Sequence, residues 1–263
     1  MKRLILVIAL ITVLLSGSIL AGCTRVLISD KNSPATTQDY NFTDFTGIEI
    51  GNAFELEVTP SDTYKVTITA SESILEHIDV SKVGSVLIID MDKWLFNWHS
   101  TPKVTITMPS LQSLELSGAS KGDVRGFKST NDFDLILSGA SNLDIDMETG
   151  NFVSEISGAS KLIGYIKASS SSIDLSGASE VKLEGSGGNI VLNGSGASNA
   201  TLRSFTVNDA DIELSGASDT SLFISGKMDV SLSGASSLEY GGNPTLGILD
   251  ITGASEIKQR PRQ

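Results

Sequence analysis

Carboxylates, hydroxyls and two histidines are the groups in this chain that could carry covalent chemistry. Asp144, Asp146, Asp174 and Asp211 stand at polar positions of alternating segments such as Leu143-Asp144-Ile145 and Ile173-Asp174-Leu175. Paired carboxylates cleave glycosidic bonds when one acts as acid and the other as base or nucleophile. That chemistry needs convergence, often beside Lys, Arg or bound calcium. These four aspartates do not recur in register and no basic cluster accompanies them, so a solvated face is the expectation. A serine nucleophile fares worse. Gly194-Ser195-Gly196 lacks the full G-x-S-x-G form and its strand-to-helix setting. The two histidines, His77 and His99, lie outside the repeated half of the chain. No zinc spacing, calcium-binding G-G-x-G-x-D or phosphate loop occurs. The expectation is no catalytic residue, no metal site and no cofactor.

The one cysteine has a different chemistry. Lys2 and Arg3 precede an apolar run from Leu4 to Leu15, broken only by Thr12, and Leu20-Ala21-Gly22 leads into Cys23. Residues 1–22 read as a secretory signal. The segment resembles the bacterial lipobox, in which the cysteine thiol is acylated and becomes the new N-terminus. Each buried CH2 of an acyl chain contributes ~0.8 kcal/mol to anchoring, so several chains hold firmly. With no second cysteine, no intramolecular disulfide can brace the exported fold. Of 19 basic residues two lie in the signal, so 17 face 31 acidic ones beyond it, a net charge of −14. That balance argues against nucleic acid and against an electrostatic hold on anionic lipid.

Both tryptophans fall in Trp94-Leu95-Phe96-Asn97-Trp98-His99. Trp94, Phe96 and Trp98 could stack on sugar rings or anchor a protein partner. They could equally close the open end of a stacked fold as a cap.

The elements that must position all of these are set by a repeat. Ser-Gly-Ala-Ser begins at Ser117, Ser138, Ser157, Ser176, Ser195, Ser215 and Ser233, and Thr-Gly-Ala-Ser at Thr252. Their glycines, Gly118, Gly139, Gly158, Gly177, Gly196, Gly216, Gly234 and Gly253, are 21, 19, 19, 19, 20, 18 and 19 residues apart. A fixed period near 19 marks a solenoid in which neighbouring coils bury each other's apolar faces. Apolar residues sit three and one positions before most motifs, as in Leu114/Leu116, Leu135/Leu137 and Ile212/Leu214. Polar residues such as Glu115, Asp174, Glu213, Ser231 and Asp250 lie between them. This is a short strand with alternate residues inward. Ser154 and Gly194 break the apolar pattern. Each glycine is expected to turn a corner at positive φ. The alanine should fit inside that corner, and the serines should bond corner backbone and stacked neighbours.

The predicted fold is all-β, a right-handed parallel β-helix of about 19 residues per coil. Residues 23–39 read as a polar tether and 40–110 as a β-rich N-terminal cap with a helical turn near Ser73-Ile74-Leu75-Glu76. The repeats span 111–258, and 259–263 is a short basic tail.

Phe45-Thr46-Gly47-Ile48, the Phe54-to-Val58 strand, Val104-Thr105-Ile106-Thr107-Met108-Pro109-Ser110-Leu111 and the serial Ser-Gly-Ala-Ser turns together resemble the bacterial auto-transporter adhesin, head GIN domain family. The resemblance covers about Phe45 to Ile257. It implies a β-helical, secreted or lipid-anchored protein with a role in adhesion, and it supplies no catalytic residues. The expected function is a lipid-anchored, extracytoplasmic adhesion or binding module with a glycan or surface-protein ligand. A carbohydrate-active enzyme on the same scaffold and a purely structural envelope protein are the alternatives.

Overall fold

Leu-x-Leu alternation ended by a Ser-Gly corner makes the chain fold as a stack of two-strand coils. The computed structural model describes residues 34–92 and 100–260. The strands leading into the motif are β8 (Ser113–Leu116), β10 (Phe133–Leu137), β12 (Asn151–Ile156), β14 (Ser170–Leu175), β18 (Lys227–Leu232) and β20 (Thr245–Ile251). Those trailing from it are β9 (Lys121–Lys128), β11 (Asn142–Glu148), β13 (Lys161–Lys167), β17 (Asp219–Ile224), β19 (Ser237–Gly241) and β21 (Glu256–Gln259). β15 (Glu180–Gly194) and β16 (Asn199–Leu214) each run from a trailing position into the next leading one. Leading strands pair in parallel with leading strands, and trailing with trailing. The result is a parallel β-solenoid of about eight turns.

Register is set by the inward row. Leu114, Leu135, Ser154, Ile173, Leu192, Ile212 and Val230 stack one per coil. All but Ser154 are apolar, and all are buried. A one-residue slip would turn the whole row to solvent, so burial fixes the pairing. Phe54, Phe133, Phe152 and Phe205 are fully buried in the same core. Phe133 and Phe152 stack at 6.2 Å between centroids.

The N-terminal region differs from a separate cap. β2 (Gly47–Ile50) and β3 (Glu55–Pro60) pair in parallel with β8 and β9, so they form a coil of the same column. β6 (Val86–Met91) and β7 (Lys103–Met108) pair in parallel with β2 and β3 from the other side and form a further coil. The column therefore extends below the first motif: the chain leaves after β3, re-enters at β6 to form the coil beneath, and continues at β8 on the coil above. Antiparallel strands make the true lower cap. β4 (Lys65–Ser71) pairs with β7, and β5 (Ile78–Val83) with β6. The short helix α1 (Glu72–Leu75) joins them, burying Ile74 and Leu75. Ala35–Tyr40, read above as the end of a tether, forms strand β1 on the outer edge of β4. Its polar side chains suit an exposed edge, and Thr67 Oγ1 donates to Asp39 Oδ1 at 2.7 Å.

Candidate functional site

The corners come first, because they aim both faces. Each motif glycine has φ between +72° and +76°. A Cβ on Gly177 would lie 2.5 Å from the carbonyl oxygen of Gly158 beneath it. The glycine is thus required by conformation and by close approach together. The N–H of the following alanine donates to the glycine carbonyl one coil below, as from Ala178 to Gly158 at 2.7 Å. The alanine does not fit inside the corner as expected, whereas the second serine does bond corner backbone, from the buried side. Ala119, Ala140, Ala159, Ala178 and Ala197 are exposed, whereas Ser120, Ser141, Ser160, Ser179 and Ser198 are buried. Ser141 Oγ and Ser179 Oγ donate to the carbonyls of Ser138 and Ser176 at 2.9 Å, closing the turn from inside. Strand alternation does not continue through a left-handed turn, so the alanine faces out and the serine takes the inner place.

With the corners fixed, the outward residues of the leading strands form two rows. One runs Asp134, Val153, Ser172, Val191, Asp211, Asp229. The other carries Glu49, Glu115, Glu155, Asp174, Glu213 and Asp250, interrupted by Ile136, Asn193 and Ser231. Neighbours in a row are one strand spacing apart, about 4.8 Å. Lys227 is the sole basic residue on the leading strands. Burial and the neighbouring Glu49 hold the Glu115 carboxyl above its ordinary value. Asn193 Nδ2 donates to Asp174 Oδ1 at 2.6 Å, separating Asp174 from Glu213. Lys227 and the Ile248 N–H hold Asp229 below its ordinary value. Ile136, Val153 and Val191 stand exposed among the acids, Val191 by 44%. Two open grooves of about 530 and 420 Å3 follow these rows, one past Glu155, Asp174 and Glu213, the other past Val153, Val191 and Asp211.

The trailing face is a different surface. Arg125 bonds Asp144 at 2.7 Å and Asp123 at 2.9 Å. Glu148 sits between Lys128 at 2.8 Å and Lys167 at 3.1 Å, which hold its carboxyl below the ordinary value. Lys161 pairs with Glu180, and Lys103 with Glu57, both at 2.9 Å. Charges there meet opposite partners on the same or the adjacent coil. On the leading face Lys227 pairs with Asp229 at 2.6 Å, and the other acids of the two rows face no lysine or arginine of their strands.

The four aspartates singled out by sequence do not converge. Asp144 and Asp146 lie on the trailing face, Asp174 and Asp211 on separate rows of the leading face. Asp174 does fall in register with Glu155, and Asp211 with Asp229, a recurrence that pattern reading missed. The signal was present as the polar residue between paired apolar ones, but its alignment into rows needs the register. Ser195 is a corner residue whose Oγ donates to the Leu175 carbonyl at 3.3 Å. His77 lies in the lower cap, 3.7 Å from Asp92. Among the described residues no group of three or more His, Cys, Asp or Glu is arranged to hold a metal ion. Among them, too, no helix is long and apolar enough to cross a membrane. Cys23, Trp94, Phe96, Trp98 and His99 lie outside the described residues.

A family model described as "Putative auto-transporter adhesin, head GIN domain" matches residues 44–244. Among solved structures, a "putative adhesin" from Parabacteroides merdae has a TM-score of 0.80 at 14% identity, over 88% of this chain and 98% of that one. A "putative lipid binding protein" from Parabacteroides distasonis has a TM-score of 0.77 at 16% identity, over 88% and 98%. A "putative adhesin" from Bacteroides fragilis has 0.65 at 23%, over 87% and 98%. At these identities the likeness is one of fold. No curated protein matches the chain.

Proposed function

The chain belongs to the auto-transporter adhesin, head GIN domain family, and on that premise we propose that it is a non-catalytic binding module of the cell envelope. Acylated Cys23 holds it to a bacterial membrane, and the leading face is its contact surface for an envelope glycan or surface protein. The observation that carries this reading is the pair of outward rows. They set acids and a few exposed aliphatic side chains at one-coil intervals along open grooves rather than around one enclosed centre. A repeating ligand can be matched by such a repeating surface, each coil adding a small contact.

The test uses the exported protein on a glycan array and on whole cells. Glu155→Gln/Asp174→Asn/Glu213→Gln keeps shape and removes three charges; it is expected to abolish binding with an unchanged melting temperature. Trp94→Ala/Trp98→Ala measures the second candidate surface in the same assay. Release of new reducing ends from a bound polysaccharide would replace the binding module with an enzyme. Cys23→Ser is expected to move the protein from the membrane fraction to the soluble one.

A further inference from the structure

Among the described residues two aromatic side chains are exposed, Tyr165 by 42% and Phe223 by 37%. Both point outward from trailing strands, β13 and β17. The two outward rows of the leading face hold no aromatic residue. Each exposed ring lies beside a glycine of the coil above. A Cβ on Gly185 would come 3.2 Å from Tyr165 Cε2, and one on Gly241 3.0 Å from Phe223 Cδ2. Glycine at these two places leaves both rings without a side chain over them from the next coil.

The surroundings of the rings are polar. Asp146 below and Glu184 above are in register with Tyr165. Both are exposed, and both stand outside the ion pairs of the trailing face described above. Glu184 is in register with Ser204, and Thr206, two residues further on, with Phe223. The two rings are therefore three coils apart, about 14 Å along the column, and two residues, about 7 Å, across it. Glu184, Ser204 and Thr206 lie exposed between them. Arg203 beside this path donates to Ser221 Oγ and to Glu239 Oε2, each at 3.3 Å.

We propose that Tyr165 and Phe223 are two stacking platforms for one unbranched glycan laid along the trailing face. A pyranose ring is apolar on its faces and hydroxylated round its edge. It stacks on an aromatic ring while its hydroxyls donate to acceptors at the sides, and carboxylates are the strongest acceptors. Asp146 and Glu184 flank Tyr165 at about 4.8 Å on either side, within reach of the edge of a sugar stacked there. An extended glycan chain advances by roughly one coil spacing per sugar, so about four sugars cover both rings and the hydroxyl-lined stretch between them. A protein partner anchors instead through a contiguous apolar centre with a polar rim. Two rings about 16 Å apart with acids and hydroxyls between them offer no such centre. This site lies on the opposite kind of face from the acidic rows and does not rest on the leading-face reading.

The test titrates the exported protein with β-1,4-linked hexasaccharides of glucose, N-acetylglucosamine and mannose, and with the matching disaccharides, by calorimetry. One hexasaccharide is expected to bind more tightly than its disaccharide. Tyr165→Ala and Phe223→Ala are each expected to weaken it by roughly two- to tenfold. Tyr165→Phe keeps the ring face and is expected to bind like the wild type. Glu155→Gln/Asp174→Asn/Glu213→Gln is expected to leave this binding unchanged, which separates it from contact through the leading face. If an alanine variant fails to fold, ring-proton shifts of Tyr165 and Phe223 on titrating the wild-type protein decide the matter. No binding by any hexasaccharide, a disaccharide bound as tightly as its hexasaccharide, undiminished binding in both alanine variants, or unshifted ring protons at saturation would each overturn the proposal.

Discussion

Replacing one corner glycine measures how much of this fold depends on its glycine row. Gly177 is mid-column at φ +74°, and an added Cβ would sit 2.5 Å from the Gly158 oxygen. The left-handed conformation costs a non-glycine residue ~1–2 kcal/mol. Relieving the overlap requires lifting the corner, which lengthens the 2.7 Å bond from Ala178 N–H to Gly158. Forced shifts of that kind cost ~1–3 kcal/mol. Gly177→Ala is therefore expected to lose ~2–5 kcal/mol, a fall in melting temperature of roughly 5–15 °C. Gly84 separates the two contributions. It has φ +60° and nothing within 4 Å of an added Cβ, so Gly84→Ala is expected to cost only the conformational ~1–2 kcal/mol. Urea unfolding followed by circular dichroism and by fluorescence gives both values and checks that the transitions coincide. If Gly177→Ala loses no more than Gly84→Ala, the stacked corner row is not the constraint argued here.

Ser154 fills an apolar place in the core, fully buried, with no hydrogen-bond partner for its Oγ. Ser154→Ala removes that unmet group and is expected to stabilise the protein by ~1 kcal/mol in urea unfolding. Glu115 binds its proton more tightly in the folded state than in the unfolded one, owing to burial and then to Glu49. Its charged form therefore weakens the fold above that raised pKa, and the penalty fades as pH falls through it. Glu115→Gln is expected to raise the melting temperature more at pH 7 than at pH 4. Glu148 has the opposite sign. Lys128 and Lys167 lower its pKa, so its contribution is present above the ordinary carboxylate value and is lost as pH falls through the lowered one. Glu148→Gln is expected to flatten the stability-against-pH curve in that acidic range.

The coil length, the corner glycines and the inward apolar row were legible because each is a strictly periodic demand on residue type. Positive φ selects glycine, and a buried strand selects alternating Leu, Ile and Val. The coils below the first motif were not legible. Asn52 stands in the corner row there with φ +62°, its carbonyl receiving the Ala119 N–H. Asparagine tolerates that conformation, so the glycine signature is absent while the geometry persists. The chain also departs after β3, returns at β6 one coil below and then passes to β8 one coil above, which breaks the period without breaking the stack. The outward rows lay between these cases. Glu155, Asp174 and Glu213 were visible as polar residues between apolar ones, but nothing local says that they adjoin.

The sequence alone determined that the chain is a stack of short strands turned by glycine corners, because period and residue type follow from local backbone sterics and from burial. Only the tertiary structure decided which outward side chains become neighbours and which face gathers an excess of acids. Those depend on the pairing of strands distant in the chain, and a distance of one coil in space is about 19 residues in sequence.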